Sequence, residues 1–188
     1  MDLKKLKKDL VNVFNEYCQD YQRTAKQDTQ EYNDSLPVGS NKVGLGIYHQ
    51  ETKDDFARRT VQYRKRATDM LNRVEAEIVK AASVAPSSDA VNYVGLLAQR
   101  DHVTQRELAD AMLTYGKNYA IAKSIREIAM RHEQMPPALP EGVTDLDAVR
   151  DGLDFVRTRI PSYFDIQRCD NIQSSIWAMT LDRNVPDD

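Results

Sequence analysis

The sequence predicts an all-α protein, built as a long antiparallel helical hairpin, a small helical cluster and a C-terminal helical pair. Glycine and proline number only seven each in 188 residues, whereas a β-rich chain of this length needs many turn residues. Apolar residues recur at steps of three and four along most of the chain, which is the period of one helix face. Capping residues, glycines and prolines separate these stretches into segments.

The first long helix is predicted from residue 3 onward, because its apolar residues alternate between steps of three and four. Those residues are Leu3, Leu6, Leu10, Val13 and Tyr17, with Phe14 and Tyr21 widening the apolar face. From Gln22 to Asn33 the chain is almost entirely polar. That part is either a solvated continuation of the helix or a frayed end.

A loop at about residues 34–50 is predicted to join the two long helices of the hairpin. Pro37, Gly39, Gly44 and Gly46 interrupt a few apolar residues, which is typical of a connection and leaves room for a short hairpin of strands. The role of this glycine-containing loop, residues 35–50, does not follow from the sequence. A second long helix is then predicted from about Thr52 to Val84, so that residues 1–84 form the hairpin.

Residues 85–133 are predicted to form a small three-helix cluster. Pro86 ends the preceding helix, and the two serines after it offer an N-cap for the next. Thr104 and Glu107 have the spacing of a capping box at the start of the second short helix. We expect Gly116 to end that helix in the left-handed conformation, which glycine adopts at little cost. A third short helix follows to about Glu133.

A proline-rich linker at residues 134–143 separates this cluster from the C-terminal helical pair, residues 144–188. Pro136, Pro137 and Pro140 forbid a helix and favour extended chain. The first helix of the pair is expected to end at a break caused by Pro161. The second is predicted from its apolar residues. These are Phe164, Ile166, Cys169, Ile172, Ile176, Trp177 and Met179.

Composition indicates a chain that stays in the compartment where it is made. Cys18 and Cys169 are too few and too far apart for a secreted disulfide framework, which favours a reducing compartment. Residues 1–8 are basic, as in a signal peptide, but the unbroken apolar stretch that must follow is missing. No apolar run approaches the roughly 20 residues that span a bilayer. We therefore expect no secretion by a signal peptide and no membrane association.

The residue types that carry catalysis are scattered, so we predict no enzyme, no cofactor and no metal. His49, His102 and His132 lie in three different segments, and two cysteines with three histidines give no zinc-ligand spacing. Gly44-Leu45-Gly46 lacks the further residues of a phosphate-binding or dinucleotide-binding loop. Paired aspartates such as Asp145 and Asp147 fall at predicted helix starts, where they complement the helix dipole.

The densest local signal is a basic stretch, residues 58–66, within the second long helix. It holds five basic side chains and a tyrosine: Arg58, Arg59, Tyr63, Arg64, Lys65 and Arg66. Such a stretch can neutralise phosphates and bind nucleic acid. Acidic residues flank it on both sides, and the net charge of the chain is −3. A solvated face, or a contact with an acidic protein partner, is therefore the favoured interpretation.

Two further patterns suggest binding but favour ordinary packing. Four lysines between residues 4 and 8 lie beside leucines, as in a helix on an anionic membrane, yet the apolar stripe is narrow and lacks tryptophan. Residues 104–128 approximate a helix-turn-helix, but Gly116 comes too late for the usual turn spacing.

The middle third of the chain resembles uncharacterised helical proteins of phages and prophages of Gram-positive bacteria. The residues that carry this resemblance are Leu96-Leu97-Ala98-Gln99-Arg100-Asp101-His102-Val103-Thr104-Gln105-Arg106-Glu107-Leu108 and Tyr115-Gly116-Lys117-Asn118-Tyr119-Ala120-Ile121-Ala122-Lys123. Proteins of this kind pair a long charged helical half with a small helical cluster. The resemblance implies a protein of the host cytoplasm or the virion, and it brings no site residues.

The expected function is macromolecular interaction, with virion assembly or virion structure first, as a scaffold-like or head-associated protein. Self-association through the long helices is expected, because their apolar stripes are longer than the small cluster can cover. The alternatives are a phage inhibitor of a host defence or nuclease complex, and a nucleic-acid-binding module that uses the basic stretch. The identity of the partner and the oligomeric state do not follow from the sequence.

Overall fold

Seven helices and no strand make up the part of the chain that the structure, a computed structural model, describes: residues 2–35, 42–165, 169 and 171–186. The predicted all-α class is confirmed. The helices are α1 (Leu3–Ser35), α2 (Lys42–Ala82), α3 (Ser88–Ala98), α4 (Gln105–Tyr115), α5 (Tyr119–Arg131), α6 (Leu146–Tyr163) and α7 (Asn171–Asn184).

The helices belong to two compact units. One, the bundle unit, comprises Asp2–Val74 and Gly152–Asp187, and the other, the inserted unit, is Glu75–Asp151. This grouping differs from the predicted division, in which the hairpin of residues 1–84 and the C-terminal pair of residues 144–188 were separate. The reason is that α6 and α7 pack their apolar faces on the long helices, so that one core forms from both ends of the chain.

The bundle unit is an antiparallel four-helix bundle. Contacts between α1 and α2 run in opposite directions along the sequence, as the predicted hairpin requires. They join Glu16 to Arg66, Asp20 to Arg59 and Tyr21 to Phe56. Helix α7 is antiparallel to α1, and α6 is antiparallel to α2. For α1 and α7, the contacts that show this join Lys7 to Asp182, Asn15 to Ser174, and Gln22 to the Cys169 carbonyl. For α2 and α6, they join Asn72 to Arg157 and Arg64 to the Pro161 carbonyl.

An aromatic cluster forms the centre of this bundle. Trp177 is fully buried, and its indole Nε1 donates a hydrogen bond to the Leu10 carbonyl at 3.3 Å. The Phe14 ring lies edge-on to that of Phe164, with centroids 5.6 Å apart. The rings of Tyr163 and Trp177 are 4.4 Å apart. Burying so much aromatic surface is a large stabilising contribution, and it ties α1, α6 and α7 together.

The inserted unit has its own core, formed where α5 packs against α3 and α4. Leu97, Leu108 and Ile125 are among the most deeply buried side chains there. The predicted capping box is present, because the Glu107 amide donates to Thr104 Oγ1 and the Thr104 amide donates to Glu107 Oε2. The side chains of Ser87 and Asn118 cap α3 and α5 by accepting from the amides of Ala90 and Ile121.

The prediction that Gly116 ends α4 in the left-handed conformation is wrong. Its φ of −69° lies in the right-handed region, which any residue can adopt. Glycine is needed there for space, because a Cβ would collide with the carbonyl oxygen of Met112 and approach Pro140 Cγ to 3.1 Å. In the described chain the left-handed glycine is Gly142, in the linker.

Two other predicted helix boundaries are also wrong. Pro161 lies inside α6, which continues to Tyr163. The helical hydrogen-bond pattern is present beyond the proline, since the Phe164 amide donates to the Ile160 carbonyl at 3.1 Å. The loop predicted at residues 34–50 is shorter, since α1 reaches Ser35 and α2 begins at Lys42. Glycines at 44 and 46 weaken a long helix by about 1 kcal/mol each without ending it. Residues 36–41 lie outside the described residues.

Candidate binding sites

The basic stretch of residues 58–66 does not form one cationic patch. Arg59 and Arg66 point towards α1, where Arg59 Nε lies 2.9 Å from Asp20 Oδ2 and Arg66 Nη1 lies 2.7 Å from Glu16 Oε2. Arg59 Nη2 also donates to Thr24 Oγ1 at 2.8 Å. These arginines join two antiparallel helices, so much of their charge is already neutralised within the bundle unit.

The remaining basic residues of the stretch point in other directions. Arg58 pairs with Asp55 one turn earlier on the exposed surface of α2. Arg64 pairs with Asp165 just after α6 and donates to the Pro161 carbonyl at 3.2 Å. Lys65 is exposed. Sequence reasoning found the dense stretch and the acidic residues that flank it, but the partners of Arg59, Arg64 and Arg66 are about 40 to 100 positions away and leave no signal beside it.

Tyr63 is held by packing contacts within the bundle unit. Its ring lies edge-on to Tyr17 at 5.7 Å, and the Arg66 guanidinium lies 5.7 Å from its centroid. Partial burial raises the pKa of the Tyr63 hydroxyl, and the charges of Asp20 and Glu16 raise it further. A tyrosine held in this way packs against α1 and is not available to stack on a base.

The helix-turn-helix interpretation meets a similar obstacle in the inserted unit. Two of the three basic residues of α5 are paired with carboxylates, Lys123 with Asp147 at 2.7 Å and Arg126 with Asp145 at 2.8 Å. The Tyr119 hydroxyl accepts from the Asp147 amide at 2.9 Å, and burial raises its pKa to about 12. Residues 75–151 carry eight Lys and Arg against twelve Asp and Glu, a balance that repels phosphate.

The lysine-rich start of α1 does not present an apolar face to a membrane. Leu3, Leu6 and Leu10 are buried in the bundle core. Lys7 is itself largely buried and lies 3.5 Å from Asp182 on α7. Within the described residues, no helix combines the length and the apolar character that crossing a bilayer requires.

The three histidines occupy separate segments of the chain. His102 is exposed between α3 and α4, and His132 caps the end of α5, where its Nε2 is buried with no hydrogen-bond partner among the described residues. The side chain of His49 lies outside the described residues. In the part of the chain that the structure describes, no three His, Cys, Asp or Glu side chains are grouped to hold a metal ion. Cys18 and Cys169 are both buried, and neither forms a disulfide within the described residues.

An open groove of about 510 Å³, which we call the aromatic groove, lies in the bundle unit between α1, α2 and the end of α6. Its walls are the rings of Tyr17, Tyr21, Phe56 and Phe164, and the distance between the Tyr21 and Phe56 centroids is 5.4 Å. Burial, followed by the two nearby cysteines, raises the pKa of the Tyr17 hydroxyl well above its usual value. Tyr17 therefore stays neutral.

Arg64 lines the same groove and is incompletely satisfied. Its Nη2 atom is held by Pro161 and Asp165, whereas its Nε is buried and has no hydrogen-bond partner in the described part of the chain. A buried donor without an acceptor costs about 1–3 kcal/mol. Sequence reasoning placed Arg64 in the basic stretch but did not find the groove, because its walls come from three separate segments.

Helix α7 is apolar on two sides. Trp177 and Leu181 face the bundle and are fully buried. Ile172, Ile176 and Met179 face outward at steps of four and three, with exposed fractions of 68%, 38% and 61%. We call these three residues the outward face of α7. Sequence reasoning placed these three residues among the apolar residues of the last helix without separating an outward side from a buried one.

Comparisons with protein-family models, with curated proteins and with solved structures found no match to this chain.

Proposed function

We propose that this chain is a phage-derived protein–protein interaction protein, which serves in virion assembly or virion structure and contacts further copies of itself through the outward face of α7. The observation that carries the proposal is the exposure of Ile172 and Met179, each more than half accessible to solvent, on a helix whose opposite side is already buried. Contiguous apolar residues on a surface are typical of an interaction site.

The proposed contact differs from the one that the sequence suggested. The apolar stripes of the two long helices are covered within the chain, since Leu10, Phe14 and Leu71 are fully buried. Self-association through these stripes would require the bundle to open. Helix α7 needs no such opening, and its outward residues have the alternating spacing with which one helix packs along another.

The setting in virion assembly rests on the resemblance of residues 96–108 and 115–123 to helical phage proteins. Ion pairing within the chain supports a protein partner over a nucleic acid. Arg59, Arg64 and Arg66 already have carboxylate partners, so phosphate would have to displace a bonded aspartate or glutamate.

Self-association is tested by light scattering and sedimentation of the purified protein across micromolar concentrations. We expect its mass to rise with concentration, and we expect Ile172→Gln, Ile176→Gln and Met179→Gln together to keep it monomeric. The matched control replaces three exposed apolar residues of the inserted unit with glutamine: Val91, Leu96 and Leu113. A monomer at every concentration, or association that survives the α7 changes, would contradict the proposal.

The role in assembly is tested with purified capsid and portal proteins of the phage genome that encodes this chain. We expect the unchanged protein to co-sediment with at least one of them and to be incorporated into assembling particles. Normal head assembly without the chain, together with its absence from particles and intermediates, would exclude the assembly role.

A further inference from the structure

We infer that Cys18 and Cys169 form a reversible disulfide that fastens the start of α7 to α1 when the surroundings become oxidising. These two are the only cysteines of the chain, and they come from opposite ends of it. The inference is independent of the proposed function, because it concerns the contact between α1 and α7 inside one chain and not the outward face of α7.

Cys18 lies on the side of α1 that faces α7. Asn15 and Gln22 flank it at steps of three and four, so these residues share one face of the helix. Asn15 Oδ1 accepts from Ser174 Oγ at 2.7 Å. Gln22 Nε2 donates to the Cys169 carbonyl at 2.6 Å. Both neighbours of Cys18 on this face therefore contact the α7 end of the chain, one of them at Cys169 itself.

The register of the two antiparallel helices places Cys169 at the level of Cys18. The indole of Trp177 donates to the Leu10 carbonyl, which fixes these two residues side by side. Counting eight positions forward from Leu10 reaches Cys18, and counting eight back from Trp177 reaches Cys169. Since the hydrogen bond from Gln22 shows that the chain before α7 still follows α1, the two cysteines lie at the same height along the bundle.

The hydroxyl of Tyr17 is a common neighbour of the two thiols. Burial raises the pKa of this hydroxyl, and the charges that Cys169 and Cys18 carry when they are ionised raise it further. The interaction between two charges weakens with distance, so both sulfur atoms lie near this hydroxyl. Cys18 is 6% exposed and Cys169 is 5% exposed. The two thiols therefore share one buried part of the bundle unit.

Closing the bond asks little of the backbone. Cys169 lies two positions before α7 begins, outside the hydrogen bonds of the helix, so it can adjust to the narrow geometry of a disulfide. Glutathione disulfide is a suitable oxidant. One cysteine thiolate attacks it and releases a glutathione, and the second thiolate attacks the mixed disulfide and releases the other. The cysteine sulfurs are oxidised, and the two glutathione molecules formed take up the two thiol protons.

The bond would make the stability of the bundle depend on redox conditions. A disulfide stabilises a protein mainly by restricting the unfolded chain, and the effect grows with the length of the loop that it closes. The loop between Cys18 and Cys169 contains most of the chain. By linkage, the folded chain favours the disulfide over the unfolded chain by the same factor, on the order of a hundredfold.

The experiment equilibrates the full chain in glutathione buffers of graded oxidising strength, once in native buffer and once in concentrated urea. Alkylation then stops the exchange, and mass spectrometry identifies each species. Reduced and oxidised protein are both used as starting material, so that burial of the thiols affects only the rate. We expect the internal disulfide, with the peptides of Cys18 and Cys169 joined, to form in native buffer under conditions roughly a hundredfold less oxidising than in urea.

The matched control moves one thiol by a single position. In the double variant Cys18→Ser with Gln19→Cys, the thiol stands on the exposed side of α1, where glutathione reaches it more easily but Cys169 does not. We expect a mixed disulfide with glutathione and no internal bond under the conditions that close the natural pair. Circular dichroism verifies that the variant is folded.

Three results would overturn the inference. The first is an internal disulfide that needs equally oxidising conditions in native buffer and in urea, because the fold would then not hold the thiols together. The second is a control variant that closes the internal bond as readily as the unchanged protein. The third is oxidation that joins two chains, or stops at glutathione adducts, in place of the bond within one chain.

Discussion

Gly152 lies on α6 against the backbone at the end of α7. A Cβ at this position would collide with the carbonyl oxygen of Asn184 and lie 3.0 Å from its carbonyl carbon. Backbone atoms cannot rotate away as a flexible side chain can, so α7 would have to shift. We expect Gly152→Ala to lower the free energy of unfolding by about 2 kcal/mol, in the range of overpacked cores. Urea unfolding followed by Trp177 fluorescence measures this loss.

Gly95 provides the opposite case and serves as the control. It lies inside α3, and a Cβ there would have no neighbour within 4 Å. Gly95→Ala should therefore raise the free energy of unfolding by about 0.5–1 kcal/mol, because alanine loses less backbone entropy in a helix. Urea unfolding followed by circular dichroism measures this gain. If Gly152→Ala were also neutral or stabilising, the close approach of α6 and α7 would be wrong.

At the level of single residues, the sequence predicts interactions that close within one helical turn. The capping box of Thr104 and Glu107 was predicted because both partners are three positions apart. Arg64 was recognised as basic, but its partner Asp165 is a hundred positions later, and no local pattern connects the two. Gly116 was predicted to be needed for its backbone conformation, but glycine is required there because a Cβ has no space beside Met112 and Pro140.

The start of α6 is held by Asp145, which caps that helix and pairs with α5. Its Oδ1 accepts from the Ala148 amide at 3.2 Å, and its Oδ2 accepts from Arg126 Nη1 at 2.8 Å. Partial burial raises the pKa of the Asp145 carboxyl, but the hydrogen bonds from Arg126 and Ala148, with the Arg126 charge, outweigh burial and hold this pKa below its usual value. The stabilisation is therefore present above the unfolded pKa of about 3.9 and is lost as pH falls through the folded-state pKa.

We expect Asp145→Asn to lower the free energy of unfolding by about 1 kcal/mol at pH 7, since asparagine keeps the cap and loses the ion pair. This deficit should shrink as the pH is lowered from about 5 to about 3. Urea unfolding at each pH, followed by circular dichroism, measures it. Asp154→Asn changes an exposed aspartate of the same helix and should stay within about 0.5 kcal/mol throughout. An undiminished deficit at low pH would show that the lost charge is not its cause.

At the level of helices, periodicity predicted where they form but not what they pack against. The stripe of α1 was visible from Leu3 to Tyr17, and these residues are buried as expected. An apolar face indicates that some surface must cover it, without saying whether that surface belongs to the same chain. Helices α6 and α7 supply the cover, and Trp177 with its hydrogen bond to Leu10 fixes their position. The spacing of apolar residues along α1 gives no information about a partner 167 positions away.

In sequence, the inserted unit interrupts the bundle unit between Val74 and Gly152. The parts of α2 and α6 beside these two positions lie near each other. Arg157 Nη2 on α6 donates to Asn72 Oδ1 on α2 at 3.3 Å, and these residues stand a few positions from the boundaries at Val74 and Gly152. The centre of the bundle is formed by Phe14, Phe164 and Trp177, none of which belongs to residues 75–151. A bundle with short connections is a common arrangement of four helices.

Replacing Glu75–Asp151 with a loop of about six residues, a usual length between antiparallel helices, should therefore leave a folded four-helix protein. Trp177 is the only tryptophan of the chain, so its emission reports on this bundle alone. We expect the shortened protein to keep the blue-shifted emission of a buried indole and to unfold in urea in one cooperative transition. Emission typical of an exposed indole would mean that residues 75–151 are required for the bundle to form. The aromatic contacts of α1, α6 and α7 would then be insufficient to hold it.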